Sequence, residues 1–308
     1  MRRREFLRTA AGIAGAVALG GPGAALGGKP SSALRLTILH TNDVHSQIEP
    51  MDAGDFAGFG GASARSALIK KLRGQNDHVL LLDAGDMMQG TPYFNLFQGE
   101  VEMKVMNGMG YDAATIGNHD FDAGIERLAD LTRNHAEFPI LNCNYEFANT
   151  PMKGLARDYL IKEVDGARIG LLGVGIKTEG LVPANLVGET RYLDPVAEAR
   201  RVAQRLRNDE KCDLIICLSH INLLEREKQL SKEPGDRDLI REVPELDLVL
   251  GGHNHYLLDR PEGHFRDKEK TMGYVAQTGW GGTHLGVIQV DLFGKGERDV
   301  KGGGVRVG

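Results

Sequence analysis

The sequence of 308 residues predicts an α/β fold with largely parallel strand pairing. Three observations carry this. Short apolar runs of strand length recur along the chain, helix-period stretches lie between several of them, and five strand runs end in Asp, Asn or His. Hydrophobic residues at 41% and charged residues at 26% are a normal globular mix, which excludes wholesale disorder. The 41 glycines exceed the average of about 7% and point to many tight turns. A net charge of −5 argues against a protein that tracks a nucleic-acid backbone.

Taken in order, the chain opens with Arg2-Arg3-Arg4-Glu5-Phe6-Leu7-Arg8 and a Gly/Ala-rich apolar run over residues 10–19. A charged segment before a short apolar one reads as an export signal, too short to span a bilayer stably. Arg3-Arg4-x-Phe6-Leu7-Arg8 resembles the twin-arginine consensus. Residues 1–28 are therefore read as a signal peptide, and no membrane span is expected after its cleavage. Strands are expected over residues 34–39, 79–82, 113–116, 140–143, 169–174, 214–218, 246–250, 274–277 and 285–292. Helices are expected over 62–72, 94–106, 125–133 and 195–207. The last two strands succeed each other through residues 279–282 with no helix between, which predicts an antiparallel pair and a mixed sheet system. No linker divides residues 29–308, so they read as one domain.

The residues just beyond each strand are more informative. The first strand leads into His40-Thr41-Asn42-Asp43-Val44-His45, the second into Asp83-Ala84-Gly85-Asp86 and the third into Gly117-Asn118-His119-Asp120. Later come Ser219-His220 and Gly251-Gly252-His253-Asn254-His255. In open α/β sheets the ligand crevice lies beyond the carboxyl ends of the strands, so these five segments converge on one site rich in nitrogen and oxygen donors. That is the composition of a metal site. Asp-x-His and His-x-His place alternate side chains on one side of an extended segment, where two can reach one metal cluster. Gly85 and Gly117 let the backbone turn sharply beside a crowded cluster. On its own, Asp122 reads as an N-cap for the next helix. His40 reads as part of an outer layer around the site. Cys143, Cys212 and Cys217 form no CxxC pair, and their odd number argues against a disulfide framework.

Asp43-x-His45, Gly85-Asp86, Gly117-Asn118-His119-Asp120, His220 and Gly252-His253-x-His255 resemble the five signature blocks of calcineurin-like metallophosphoesterases. The fuller wording around residues 36–45 and 117–122 is similar to the 5′-nucleotidase/UDP-sugar hydrolase branch. The resemblance spans residues 34–292. It implies a four-layer αββα sandwich of two mixed sheets, with residues 29–308 as the catalytic domain. It implies two divalent ions: one held by Asp43, His45, Asp86 and His255, the other by Asp86, Asn118, His220 and His253, with Asp86 bridging. It further implies His119 and Asp122 as the catalytic pair, with Asn118 and His119 contacting substrate.

Carboxylate, imidazole and amide donors suit Zn, Mn, Fe or Co rather than Ca. Two such ions about 3.5–4 Å apart clamp phosphoryl oxygens for in-line attack. The expected activity is hydrolysis of phosphate monoesters, 5′-nucleotides foremost, by an exported, periplasmic enzyme of nucleotide catabolism. A 2′,3′-cyclic-nucleotide phosphodiesterase, a sulfur-ester hydrolase and a non-catalytic metal-loaded subunit of a split nucleotidase are the alternatives. The family's two-domain nucleotidases grip the base with a C-terminal domain for which this sequence shows no counterpart. A separately encoded domain of that type is therefore an expected partner. Substrate is otherwise left to the metal–phosphate contacts and to the loops at residues 89–95 and 177–185.

Overall fold

A computed structural model describes residues 34–230, 232–265, 272–293 and 297–308; the expected signal at residues 1–28 lies outside them. The first sheet is built on β1 (Leu34–Thr41). It pairs in parallel with β2 (Val79–Asp83), which continues in parallel to β3 (Ala113–Ala114). On its other side β1 pairs antiparallel with β12 (His284–Phe293), and β12 with β13 (Glu297–Arg306), giving the order β13-β12-β1-β2-β3.

The second sheet is parallel in its centre, where β6 (Ala167–Gly175), β8 (Leu214–His220), β9 (Leu248–Leu250) and β11 (Met272–Ala276) lie side by side. β5 (Tyr159–Val164) and β10 (Glu262–Phe265) close its two edges antiparallel. A short ribbon pairs β4 (Tyr145–Glu146) with β7 (Arg191–Tyr192).

Alternation along the strands sorts the side chains into layers. Leu36, Ile38, Leu80 and Leu82 of the first sheet share a core with Leu171, Ile216, Leu218 and Leu248 of the second. Leu39 and Leu81 point the other way, into a core with Ile69 of α1 (Ala62–Arg73), Met103 of α3 (Glu100–Met109) and Leu128 of α4 (Ile125–Asn134). Beyond the second sheet, Leu172, Ile215, Cys217 and Val249 share a core with Val202 and Leu206 of α6 (Pro195–Asn208) and with Leu239 and Ile240 of α7 (Asp236–Glu242). Helix, sheet, sheet, helix: the four expected layers are present.

Local chemistry sets the helix limits. The Asp194 side chain accepts the Ala197 N–H at 2.8 Å and Pro195 opens α6, a standard N-terminal arrangement. Val196, Ala199, Val202, Ala203 and Leu206 then form its buried stripe. The single helix expected over 94–106 is two, α2 (Pro92–Phe97) and α3. Gln98 and Gly99 between them take left-handed backbone at φ 49° and 92°, which stops one helix and starts the next. The four-residue α5 (Ala184–Val187) lies in a connection.

Other expectations change more. Residues 140–143 make only isolated bridges, Ile140 to Ala114 and Leu141 to Arg157, rather than a strand of their own. The last two expected strands do not pair with each other. β11 belongs to the second sheet and β12 to the first, so residues 279–282 carry the chain between sheets. The apolar faces of both strands are buried, and in a sandwich each strand joins whichever sheet needs its face. Cys143, Cys212 and Cys217 are free thiols, in keeping with their spacing, and the packing buries all three. Among the described residues no helix is long and apolar enough to cross a membrane.

Candidate metal centre

The five polar strand-end segments meet at one edge of the sandwich. Asp43 and His45 follow β1, Asp86 follows β2, Asn118 follows β3, His220 ends β8, and His253 and His255 follow β9. Their donor atoms form two groups, Asp43–His45–His255 and Asp86–His220–His253, each with its atoms within 4.8 Å of one another. Asp86 reaches both: Oδ2 is 3.1 Å from His220 Nε2 and 3.8 Å from His45 Nε2. Asp43 Oδ1 lies 3.4 Å from His255 Nε2 and 3.9 Å from both His45 and His220. Asn118 Oδ1 is 2.9 Å from His253 Nδ1.

The backbone is not extended at these positions. Asp43, His45, Asp86, His253 and His255 all take positive φ, between 50° and 74°. Left-handed backbone is costly for such side chains, on the order of 1–3 kcal/mol each, and persists where surrounding contacts enforce it. The extended-segment premise for His-x-His therefore fails, and left-handed backbone instead brings His253 and His255 each to one of the two donor groups. The glycines matter for clearance. A Cβ on Gly117 would stand 2.1 Å from Asp86 Oδ1, and one on Gly252 would stand 2.8 Å from His220 Nδ1.

Hydrogen bonds aim the donors. His220 Nδ1–H donates to the Ala84 carbonyl at 2.7 Å, which leaves Nε2 fully buried without a hydrogen-bond partner. The backbone N–H of His253 donates to both Asp43 oxygens at 3.1 and 3.0 Å, and that of His119 donates to Asp86 Oδ1 at 2.8 Å. Burial works against a charge on His220, but the Asp86 and Asp43 carboxylates outweigh it and push the ring up to about 10. Burial likewise works to raise the Asp86 carboxyl, yet His220 and His45 hold it below the usual carboxylate range. Burial lowers His45, and it lowers His253 to about 4, so those rings stay neutral. An orphaned imidazole nitrogen between two carboxylates and two neutral rings facing the same space is a donor set that a divalent ion satisfies. The residues fit the ions that the motifs imply.

His119 stands at the mouth of the site. Its Nδ1 is 2.8 Å from Asp122 Oδ2, and that hydrogen bond raises the ring above its ordinary value against partial burial. Asp122 is not the N-cap of α4; Gly124 occupies that position without a side-chain cap. His40 lies on the same face of β1 as Leu36 and Ile38, between the sheets and against Gly286, rather than around the site. A cleft of about 340 Å³ is lined by His45, Asp86, Gln89, Gly90, Asn118, His119, His253, His255 and Trp280. Residues 177–185 do not line it.

The structure also places residues whose role the motifs did not reveal. Asp120 is buried and accepts four backbone N–H groups, those of Asp86, Met87, Met88 and Gly117, at 2.8–3.2 Å. It holds the Asp86 loop against the Asn118 loop. Asn42 donates to Asp43 Oδ2 at 2.6 Å and accepts from Thr278. Gln277 spans from the Gly252 carbonyl to the Tyr256 N–H. Gln277 closes a strand run just as Asp43 and His220 do. The strand-end rule, applied to the last strand of the second sheet, would have found it.

Comparison with known proteins agrees with this geometry. A family model described as calcineurin-like phosphoesterase matches residues 36–257. A snake venom 5′-nucleotidase of Gloydius brevicauda is 36% identical over 236 residues, which are 74% of this chain and 38% of that protein. The trifunctional nucleotide phosphoesterase protein YfkN of Bacillus subtilis is 31% identical over 293 residues, 85% of this chain and 18% of that protein. The crystal structure of a 5′-nucleotidase precursor from Thermus thermophilus superposes with a TM-score of 0.79 at 28% identity, covering 89% of this chain and 55% of that one. The chain thus spans about half or less of the length of these relatives. With the matched family model covering every segment that contributes a donor to the cleft, the chain belongs to the calcineurin-like phosphoesterase family.

Proposed function

We propose that this chain is a metal-dependent phosphoester hydrolase acting on phosphate monoesters, 5′-nucleotides foremost. The carrying observation is that two donor groups and the His119–Asp122 pair open onto one cleft. On this reading Asp43, His45, Asp86 and His255 hold one divalent ion, and Asp86, Asn118, His220 and His253 hold the other. Ions of the Zn, Mn, Fe or Co type supply Lewis acidity toward the phosphoryl oxygens and lower the pKa of water for in-line attack. The protein's part is positioning and proton transfer. The Asn118 amide orients a phosphoryl oxygen. His119 donates its Nδ1–H to Asp122, a contact that favours the imidazolium form, and the second proton of that cation, on Nε2, is the one that the leaving alkoxide takes up. The names of the similar proteins, 5′-nucleotidase and nucleotide phosphoesterase, support nucleotides as the substrate class.

Residues 29–308 serve as the catalytic domain, and residues 1–28 as a twin-arginine signal that exports it. Replacing Arg3 and Arg4 by Lys is expected to strand precursor in the cytoplasm. The activity itself is tested with the protein from residue 29 onward, with and without Mn²⁺ or Zn²⁺. The panel comprises 5′-nucleotides, ribose 5-phosphate, 2′,3′-cyclic nucleotides and sulfur esters. Metal-dependent release of phosphate from monoesters supports the proposal. Turnover confined to cyclic or sulfur esters, or none by metal-loaded protein, overturns it. A micromolar KM for one nucleotide, with about a hundredfold preference over simple esters, would place selectivity in this chain rather than in a separately encoded nucleotide-binding domain.

A further inference from the structure

We infer that Trp280 is the leaving-group wall of the cleft, an aromatic platform on which a nucleobase stacks; this rests on the phosphoesterase reading and names the part of the substrate it grips. Trp280 is the chain's single tryptophan. It is 36% exposed although it lines the same cleft as Asp86, Asn118 and His119. Its indole lies nearly parallel to the His255 imidazole, with 14° between the planes and 5.6 Å between centroids. That is offset stacking, and it fixes the ring beside a metal-donor group.

The turn that carries the indole is tied down on both sides. Asn42 Nδ2 donates to the Gly279 carbonyl at 2.7 Å, and the Gly281 N–H donates to the Asp43 carbonyl at 2.7 Å. The Trp280 carbonyl in turn accepts from the Thr283 hydroxyl at 2.9 Å. Residues 42 and 43 therefore set the ring's place at the same time as they set a donor carboxylate. The fold exposes a large apolar ring and holds its turn still with these three hydrogen bonds. A rigid aromatic loses little ordering entropy on contact, which is how such rings serve recognition.

The chemistry selects the occupant. A phosphoryl group seated in this cleft beside Asn118 and His119 directs its ester oxygen and leaving group along the wall to which Trp280 belongs. A flat nucleobase can stack on the indole there, whereas a sugar phosphate without a base has nothing to stack. The platform therefore favours nucleotides over sugar phosphates, and it does so without hydrogen bonds that would read one base.

The test compares wild type, Trp280→Leu and Trp280→Phe on AMP and on ribose 5-phosphate, with Mn²⁺ added. In Trp280→Leu the ratio of kcat/KM for AMP to that for ribose 5-phosphate should fall about tenfold, mostly through KM, and Trp280→Phe should restore most of it. Independently, adenosine should quench the single-tryptophan fluorescence of protein without added metal, and ribose should not. An unchanged ratio overturns the platform. Equal losses on both esters together with weaker metal binding also overturn it, since Trp280 would then only position His255. If wild type hydrolyses neither ester, the phosphoesterase reading fails, and quenching by adenosine alone decides whether the indole binds a base.

Discussion

The Nε2 atoms of His45 and His255 face each other at 3.1 Å, with Asp43 Oδ1 3.4 Å from the second. Two imidazole nitrogens so placed need a proton or a cation between them. Burial lowers His45, so the protonated alternative is disfavoured. Elemental analysis should accordingly find two divalent ions per chain at saturation. Added Mn²⁺ or Zn²⁺ should also stabilise the fold, by about 2.7 kcal/mol per bound ion at a hundredfold excess over Kd, because the donors meet only in the folded state. Asp86→Ala should lose metal and activity together. A single ion at saturation would refute the two-ion arrangement.

His119→Asn should keep the metals but lower turnover by about 10²–10⁴, the usual range for losing a general acid. The loss should shrink for nitrophenyl phosphates, whose leaving groups need little protonation. Steady-state rates on an alkyl and an aryl ester check this. An equal loss on both would take His119 out of the acid role.

Asp120→Asn replaces one of two oxygens that each accept two backbone N–H groups at 2.8–3.2 Å. The amide NH₂ then confronts buried donors, so the variant should lose about 1–3 kcal/mol of stability and bind metal more weakly. Urea unfolding with and without Mn²⁺ measures both effects. Wild-type stability with weakened metal binding would mean that Asp120 acts through charge and not through the loop it ties.

His40 sets a pH dependence away from the metal donors. Burial lowers it from an ordinary 6.5 to about 3, so the fold holds the neutral ring. Because the folded value lies below the unfolded one, the unfolded state binds more protons between pH 6.5 and 3. This residue's share of stability is therefore complete above pH 6.5 and is lost as pH falls toward 3. At about pH 5 the loss is about 2 kcal/mol. His40→Leu should flatten the fall in unfolding free energy between about pH 7 and about pH 5 by that amount. An unchanged slope would show that His40 is not the group that titrates.

Much of the fold was legible because its signals are local. Periods of about 2 and about 3.6 residues reported which short runs are strands and which stretches are helices, and they located β1, β2, β6, β8 and α6 closely. The Asp, Asn and His residues that terminate strands were legible for the same reason. The split between α2 and α3 was not, because a left-handed Gln98 is a backbone choice that the apolar pattern crosses without a break. Nor was Asp120, whose importance lies in four N–H groups drawn from two loops.

The sequence by itself determined the α/β class and which segments carry nitrogen and oxygen donors, since composition and short-range spacing report these directly. Only the tertiary structure decided that β12 pairs with β1 rather than β11, with Leu34 opposite Leu292. It also decided that residues 140–143 make only isolated bridges, that five of the donor positions adopt left-handed backbone, and that Trp280 stands exposed against His255. The physical reason is common to all four. Each depends on which distant surfaces are buried against one another, and burial is a property of the packed whole that no window of neighbouring residues contains.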